Sequence, residues 1–197
     1  MSRNDRTRRL IAVEDDGYRL SDTEIVDTCM LLFSDGVENV DSGLANIMLL
    51  LLEHPTVMAA LIDDSALIPA ALNESLRLNP PGQFISKIAK QPFEIHGRQI
   101  REHEAVILVL ASANRDEAVF TQPDEFLPQR PENRHLSFGK GRHACIGAPL
   151  VEMEMAQAFT RLLSRLHDIR LADDHVEWQA RLGHRWLARL PLRFETA

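Results

Sequence analysis

From Ser21 onward the chain sets two apolar blocks around a polar middle. Ser21 and Glu24 form an S-x-x-E pair, in which each side chain can satisfy the other's free backbone N–H, so a helix is expected to start there. It runs to His54, just before Pro55, over residues 21–54. That is about 33 residues and roughly 50 Å at the rise of an α-helix. Cys29–Phe33 and Ile47–Leu52 are apolar, whereas Ser34–Gly43 is polar and contains glycine. Two readings fit equally well: one helix whose polar middle crosses a buried site, or two helices joined at Ser34–Gly43.

Pro55–Ile62 reads as a short helix. Asp63, Asp64 or Ser65 can cap the next one, residues 65–78, with Pro69 tolerated in its first turn. Asn79-Pro80-Pro81-Gly82 stops it. Residues 83–110 change character. Phe84–Ala89 and Phe93–Gly97 read as short strands with turns, and Ala105–Leu110 as another strand or a buried segment. Residues 111–144 are rich in Pro, Asn, Asp, Arg and Gly, and a loop this long is usually functional. A helix follows over residues 148–166, with apolar positions at 150, 151, 153, 155, 158, 159, 162 and 163. The tail from Ile169 reads as short strands, and residues 1–20 as a polar N-terminal segment. The expected class is mainly α with small β regions.

Composition narrows the function. With 197 residues, 45% hydrophobic and 26% charged, the chain is expected to form one globular domain. Its 22 basic and 29 acidic residues give a net charge of −7, which disfavours nucleic acid as a partner. The basic run Arg3, Arg6, Arg8 and Arg9 reads as a solvated tail. Two cysteines, Cys29 and Cys145, argue against a disulfide framework and for a reducing, cytoplasmic setting. There is no apolar signal core, and no apolar stretch approaches the ~18 residues of a membrane span.

The densest chemical signal is Phe138-Gly139-Lys140-Gly141-Arg142-His143-Ala144-Cys145-Ile146-Gly147. Three glycines flank a cysteine directly before a helix, whose dipole favours thiolate. Such a sulfur is a metal ligand or a nucleophile, and without a C-x-x-C it does not suit structural zinc. The second signal is Glu74-x-x-Arg77, whose spacing puts both charges on one helix face. Arg130, in the long loop, is placed to join them.

Taken together, Glu74-x-x-Arg77, Ala113-Asn114-Arg115-Asp116 with Phe120, Pro123, Phe126 and Arg130, and then the cysteine loop resemble the cytochrome P-450 family. The resemblance runs from about Leu20 to Phe159. It implies the C-terminal half of the cytochrome P-450 fold, and haem b (iron-protoporphyrin IX) with Cys145 as axial ligand. It also implies that Phe138 packs near the sulfur and that Gly139, Gly141 and Gly147 shape the loop. His143 and Lys87 would meet the haem propionates, Lys87 standing where the family usually has arginine. Glu74, Arg77 and Arg130 would form a buried charge network. The implied activity is monooxygenation of a small organic substrate, with electrons from a ferredoxin or reductase.

Residues 21–54 then resemble the family's distal helix. Against its usual Ala/Gly-Gly-x-Glu/Asp-Thr-Thr centre stand Asp35-Gly36-Val37-Glu38-Asn39-Val40. Gly36 and Glu38 agree, whereas Asp35, Asn39 and Val40 depart. The absent threonine normally helps deliver protons to oxygen, and an asparagine does not relay a proton as a hydroxyl does. Asp35, Glu38 and Asn39 are the candidate catalytic residues of this stretch. The resemblance spans only the family's C-terminal half, so a truncated form is expected. It would self-associate, take a chain supplying the missing half, or serve as a non-catalytic interaction module.

Overall fold

The computed structural model describes residues 14–15, 17–173 and 175–196. The basic run Arg3–Arg9 and most of the polar N-terminal segment lie outside the described residues. Two compact units meet at Asn39/Val40, inside a long helix.

In the first unit, β1 (Glu14–Asp15) pairs antiparallel with β2 (Tyr18–Arg19). Helix α1 (Asp22–Glu53) follows. The Ser21 N–H donates to Glu24 Oε2 at 2.8 Å and the Glu24 N–H to Ser21 Oγ at 3.3 Å, which is the reciprocal cap that starts it. Of the two readings of this stretch, the structure adopts the single helix: Ser34–Gly43 stays helical. His54, outside the helix, accepts the turn into α2 (Pro55–Asp63), where proline sits in the first turn and has no N–H to lose.

The second unit is built around α3 (Ile68–Leu78). Asp64 caps the 3₁₀ turn Ser65–Leu67 before it, accepting from the Ala66 N–H at 2.9 Å. Ile68, Ala71, Leu72, Leu76 and Leu78 are buried, and so are Glu74, Ser75 and Arg77. A helix buried on nearly every side must pair its own charges. Around it pack Ile47, Leu50 and Leu51 of α1, Met58 and Leu61 of α2, and Met155, Phe159 and Leu163 of α5 (Ala148–Leu163). A Cβ at Gly43 would lie 3.3 Å from Met155 Cε, so glycine there lets the α1 backbone approach α5.

The β regions are two-stranded antiparallel ribbons. β3 (Ile85–Ile88) pairs with β6 (Ala105–Leu108), and β4 (Phe93–Ile95) with β5 (Arg98–Ile100). β5 is absent from the sequence reading. His96 and Gly97, at φ 48° and 76°, form the two-residue turn that folds it back on β4. The apolar run 105–110 is not one strand: it ends at Leu108, and Leu110–Ala113 forms the short helix α4. α5 stops at Leu163 rather than 166. Leu166 instead begins β7 (Leu166–Leu171), which pairs with β10 (Leu192–Thr196). β8 (Glu177–Trp178) and β9 (Leu187–Arg189) complete the tail.

Candidate functional site

The Glu74 and Arg77 side chains are 0% exposed, and Arg130 is 5% exposed. Arg77 Nε and Nη2 grip both Glu74 oxygens at 2.8 Å. Its remaining N–H groups donate to the carbonyls of Asn114 (2.8 Å), Pro123 (2.6 Å) and Glu125 (3.0 Å). The guanidinium has five donors, and each is used. Glu74 also accepts from the Leu127 N–H (3.0 Å), Arg130 Nε (3.1 Å) and Asn133 Nδ2 (3.0 Å). The Phe120 ring lies 5.2 Å from the Arg77 guanidinium carbon and 5.9 Å from that of Arg130. One ion pair on α3 thus anchors several points of the 114–133 loop.

Asn114 carries the anchoring toward the cysteine loop. It is fully buried; its Nδ2 donates to the Arg77 carbonyl (3.1 Å) and Ser137 Oγ (2.9 Å), and its Oδ1 accepts from the Leu136 N–H (2.7 Å). Ser137 Oγ donates onward to the Leu76 carbonyl at 2.6 Å. Asn114→Ala takes the acceptor from the Leu136 N–H and a donor from both the Arg77 carbonyl and Ser137 Oγ, and is expected to cost about 2–3 kcal/mol. A urea midpoint equal to that of the unaltered chain would refute this. In the sequence, Asn114 stands only as part of the Ala113-Asn114-Arg115-Asp116 stretch, with no bonding role, and Asn133, His135 and Ser137 do not stand out among the many polar residues of the loop.

His135 Nε2 lies 2.8 Å from Asn73 Oδ1, and the Ser137 N–H donates to His135 Nδ1 at 3.2 Å. Those partners require a neutral ring protonated on Nε2. Burial pushes its pKa from 6.5 down to about 4, against the pull of Glu74 and with help from Arg77.

Phe138 packs against the core, 5.8 Å from the His135 ring. The chain then turns through Gly139 (φ 68°) and Gly141 (φ 80°), conformations that suit glycine. The Cys145 N–H returns to the Phe138 carbonyl at 2.8 Å and closes the loop. Cys145 is exposed, with Gly147 directly before α5; a Cβ on Gly147 would sit 3.7 Å from its Sγ. His143 and Lys87 are exposed as well, Lys87 on β3. Asp35, Glu38 and Asn39 lie on the α1 segment of the first unit, where Asn39 Nδ2 donates to the Asp35 carbonyl at 3.1 Å.

Among the described residues no three His, Cys, Asp or Glu side chains gather to hold a metal ion. A bare ion would find one protein donor at Cys145. A metal whose other ligands belong to a macrocycle fits that donor set, and an exposed thiol on a glycine-shaped loop leaves a flat group room to approach. No single described helix is long and apolar enough to cross a membrane.

The family model for cytochrome P450 matches residues 2–171. The biotin biosynthesis cytochrome P450 of Bacillus subtilis is 38% identical over 177 residues, covering 90% of this chain and 45% of that protein. Nocardicin C N-oxygenase of Nocardia uniformis is 41% identical over 174 residues, covering 86% of this chain and 44% of the relative. Among solved structures, cytochrome P450 CYP109Q5 from Chondromyces apiculatus superposes with a TM-score of 0.92 at 37% identity, over 96% of this chain and 49% of that one. P450BioI in complex with hexadec-9Z-enoic acid ligated acyl carrier protein gives 0.86 at 38% identity, over 90% and 46%. The chain spans about half the length of these relatives and has the fold of their C-terminal half. It belongs to the cytochrome P450 family.

Proposed function

We propose that this chain is the haem-thiolate part of a cytochrome P450 monooxygenase that acts on a small organic substrate and holds haem b through Cys145. The observation that carries the reading is the cysteine loop itself. An exposed sulfur, set before a helix N-terminus by positive-φ glycines, is tied at its base to a buried charge network. When bound, haem supplies oxygen chemistry, and a thiolate ligand favours O–O cleavage.

The chain's own residues divide the remaining work. Cys145 offers the thiolate, and Phe138 shields its approach from the core side. Gly139 and Gly141 set the turn, and Gly147 lies beside the sulfur at the start of α5. His143 and Lys87, both exposed, would meet the two propionates; lysine does so as a point charge without arginine's fork. Glu74, Arg77 and Arg130 hold the loop to α3. On α1, Asn39 has an amide donor committed to the Asp35 carbonyl and no proton to pass on, so Glu38 and Asp35 are the groups able to carry one. Electrons would come from a ferredoxin or reductase.

A second reading draws on the chain's share of its relatives' length and on apolar surface near the loop. Ile146 is 88% exposed, Leu150 52% and Met153 57%. Such surface supports self-association, a chain that supplies the other half, or an interaction role without catalysis. Optical titration of the purified chain with haem tests the first reading. Saturation at one equivalent is expected, and a linear, unsaturable response would overturn the first reading for this chain alone and leave the second.

A further inference from the structure

We propose that His135 is a positioning residue for the cysteine loop: its neutral ring bridges Asn73 of α3 to the Ser137 amide and so fixes the backbone that carries Phe138 and receives Cys145. This role rests on the reading of Cys145 as the ligand-bearing residue. The bridge is continuous. Asn73 Oδ1 accepts from Nε2–H, Nδ1 accepts from the Ser137 N–H, and the next residue, Phe138, gives its carbonyl to the Cys145 N–H at 2.8 Å. The Phe138 ring also leans on the imidazole, with 5.8 Å between centroids and 48° between planes.

A proton taken from solvent would go onto Nδ1. There it meets the Ser137 N–H, so two donors face each other and the bond breaks. Ser137 remains held at Oγ by Asn114 and Leu76. The strain therefore falls on its amide and on Phe138, the part that meets the cysteine. The charged groups around the ring are Glu74 and Arg77 on α3, Arg130 bonded to Glu74 from the preceding loop, and the Glu132–Arg134 pair beside it on its own segment. Glu74 favours the proton, whereas Arg77 and burial oppose it. Because the folded pKa lies below the ordinary value, the bridge's contribution to the loop's stability is full above pH 6.5. That contribution is lost progressively as pH falls from 6.5 toward about 4, where the folded ring itself takes up the proton.

Amide hydrogen exchange of the haem-free full chain, read as protection factors between pH 7.5 and 4.5, tests this without any bound group. Protection at Ser137 and Cys145 is expected to fall together, on the order of 50-fold more than at Leu72 in the core. The fall should set in as pH drops below 6.5, while the ring of the folded chain, followed by NMR, is still mostly neutral at pH 4.5. In His135→Gln, whose amide can donate and accept but not titrate, the extra fall should vanish. Protection at Cys145 that ignores pH, or that falls alike in wild type and His135→Gln, overturns the proposal. If His135→Gln does not fold, a wild-type ring that takes up its proton while Ser137 and Cys145 keep their protection overturns it equally. Failure of haem binding would leave this result unchanged, so the two readings fail separately.

Discussion

Arg77→Ala is expected to lower folding stability by about 3–5 kcal/mol. The substitution removes five donors at once. Glu74 is left as a buried carboxylate with only Arg130 as a charged partner, and the carbonyls of Pro123 and Asn114 lose the donor that satisfied them. A domain of this size commonly holds only ~5–15 kcal/mol in total, so the variant should sit near its unfolding threshold at room temperature. Arg77→Lys should recover only part of the loss, because an ammonium keeps the charge but has three donors and no fork. Urea unfolding followed by far-UV circular dichroism gives the comparison. Midpoints for Arg77→Ala and wild type within the scatter of one another would contradict the account of the network.

Cys145→Ser should separate folding from ligation. The side chain is exposed, and its loop is held by the backbone bond from the Cys145 N–H to the Phe138 carbonyl. Stability of the haem-free chain should therefore stay within about 0.5 kcal/mol of wild type. Thiolate ligation should be lost, since serine offers only an oxygen that ionises far less readily than a thiol. Haem added to this variant should show no sulfur coordination while the melting curve of the unloaded chain is unchanged. Together, Arg77→Ala and Cys145→Ser distinguish a residue that holds the loop from one that uses it.

Much of this was readable along the chain, for identifiable reasons. Ser21 and Glu24 announce a helix start because their bonds are local, and Asn79-Pro80-Pro81-Gly82 announces a stop because proline forbids the next turn. The polar centre of α1 left one helix or two equally open, because charged residues inside a helix look the same in sequence as charged residues in a loop. The end of α5 was misplaced because Leu166 continues the apolar spacing of Leu162 and Leu163 and equally begins the alternation of β7. His96-Gly97 closed a strand in the sequence reading and opens a hairpin in the structure, since a turn's partner strand is fixed by pairing rather than by composition.

The site shows the same division. Cys145 stands out by its glycine spacing, and Glu74 and Arg77 only together with it. The roles of Asn114, Asn133, His135 and Ser137 do not, because they come from bonds spanning 22 to 62 residues of sequence. A buried amide on a loop has no periodicity. It becomes visible only when the helix it serves is in place.

The most direct test of the central claim, that Cys145 presents a thiolate to haem iron, is the carbon monoxide difference spectrum of the reduced, haem-loaded chain. The account predicts a red-shifted, thiolate-type Soret band in the wild type that is absent in Cys145→Ser. A wild-type spectrum lacking that band at saturating haem, or one that Cys145→Ser leaves unaltered, would contradict it.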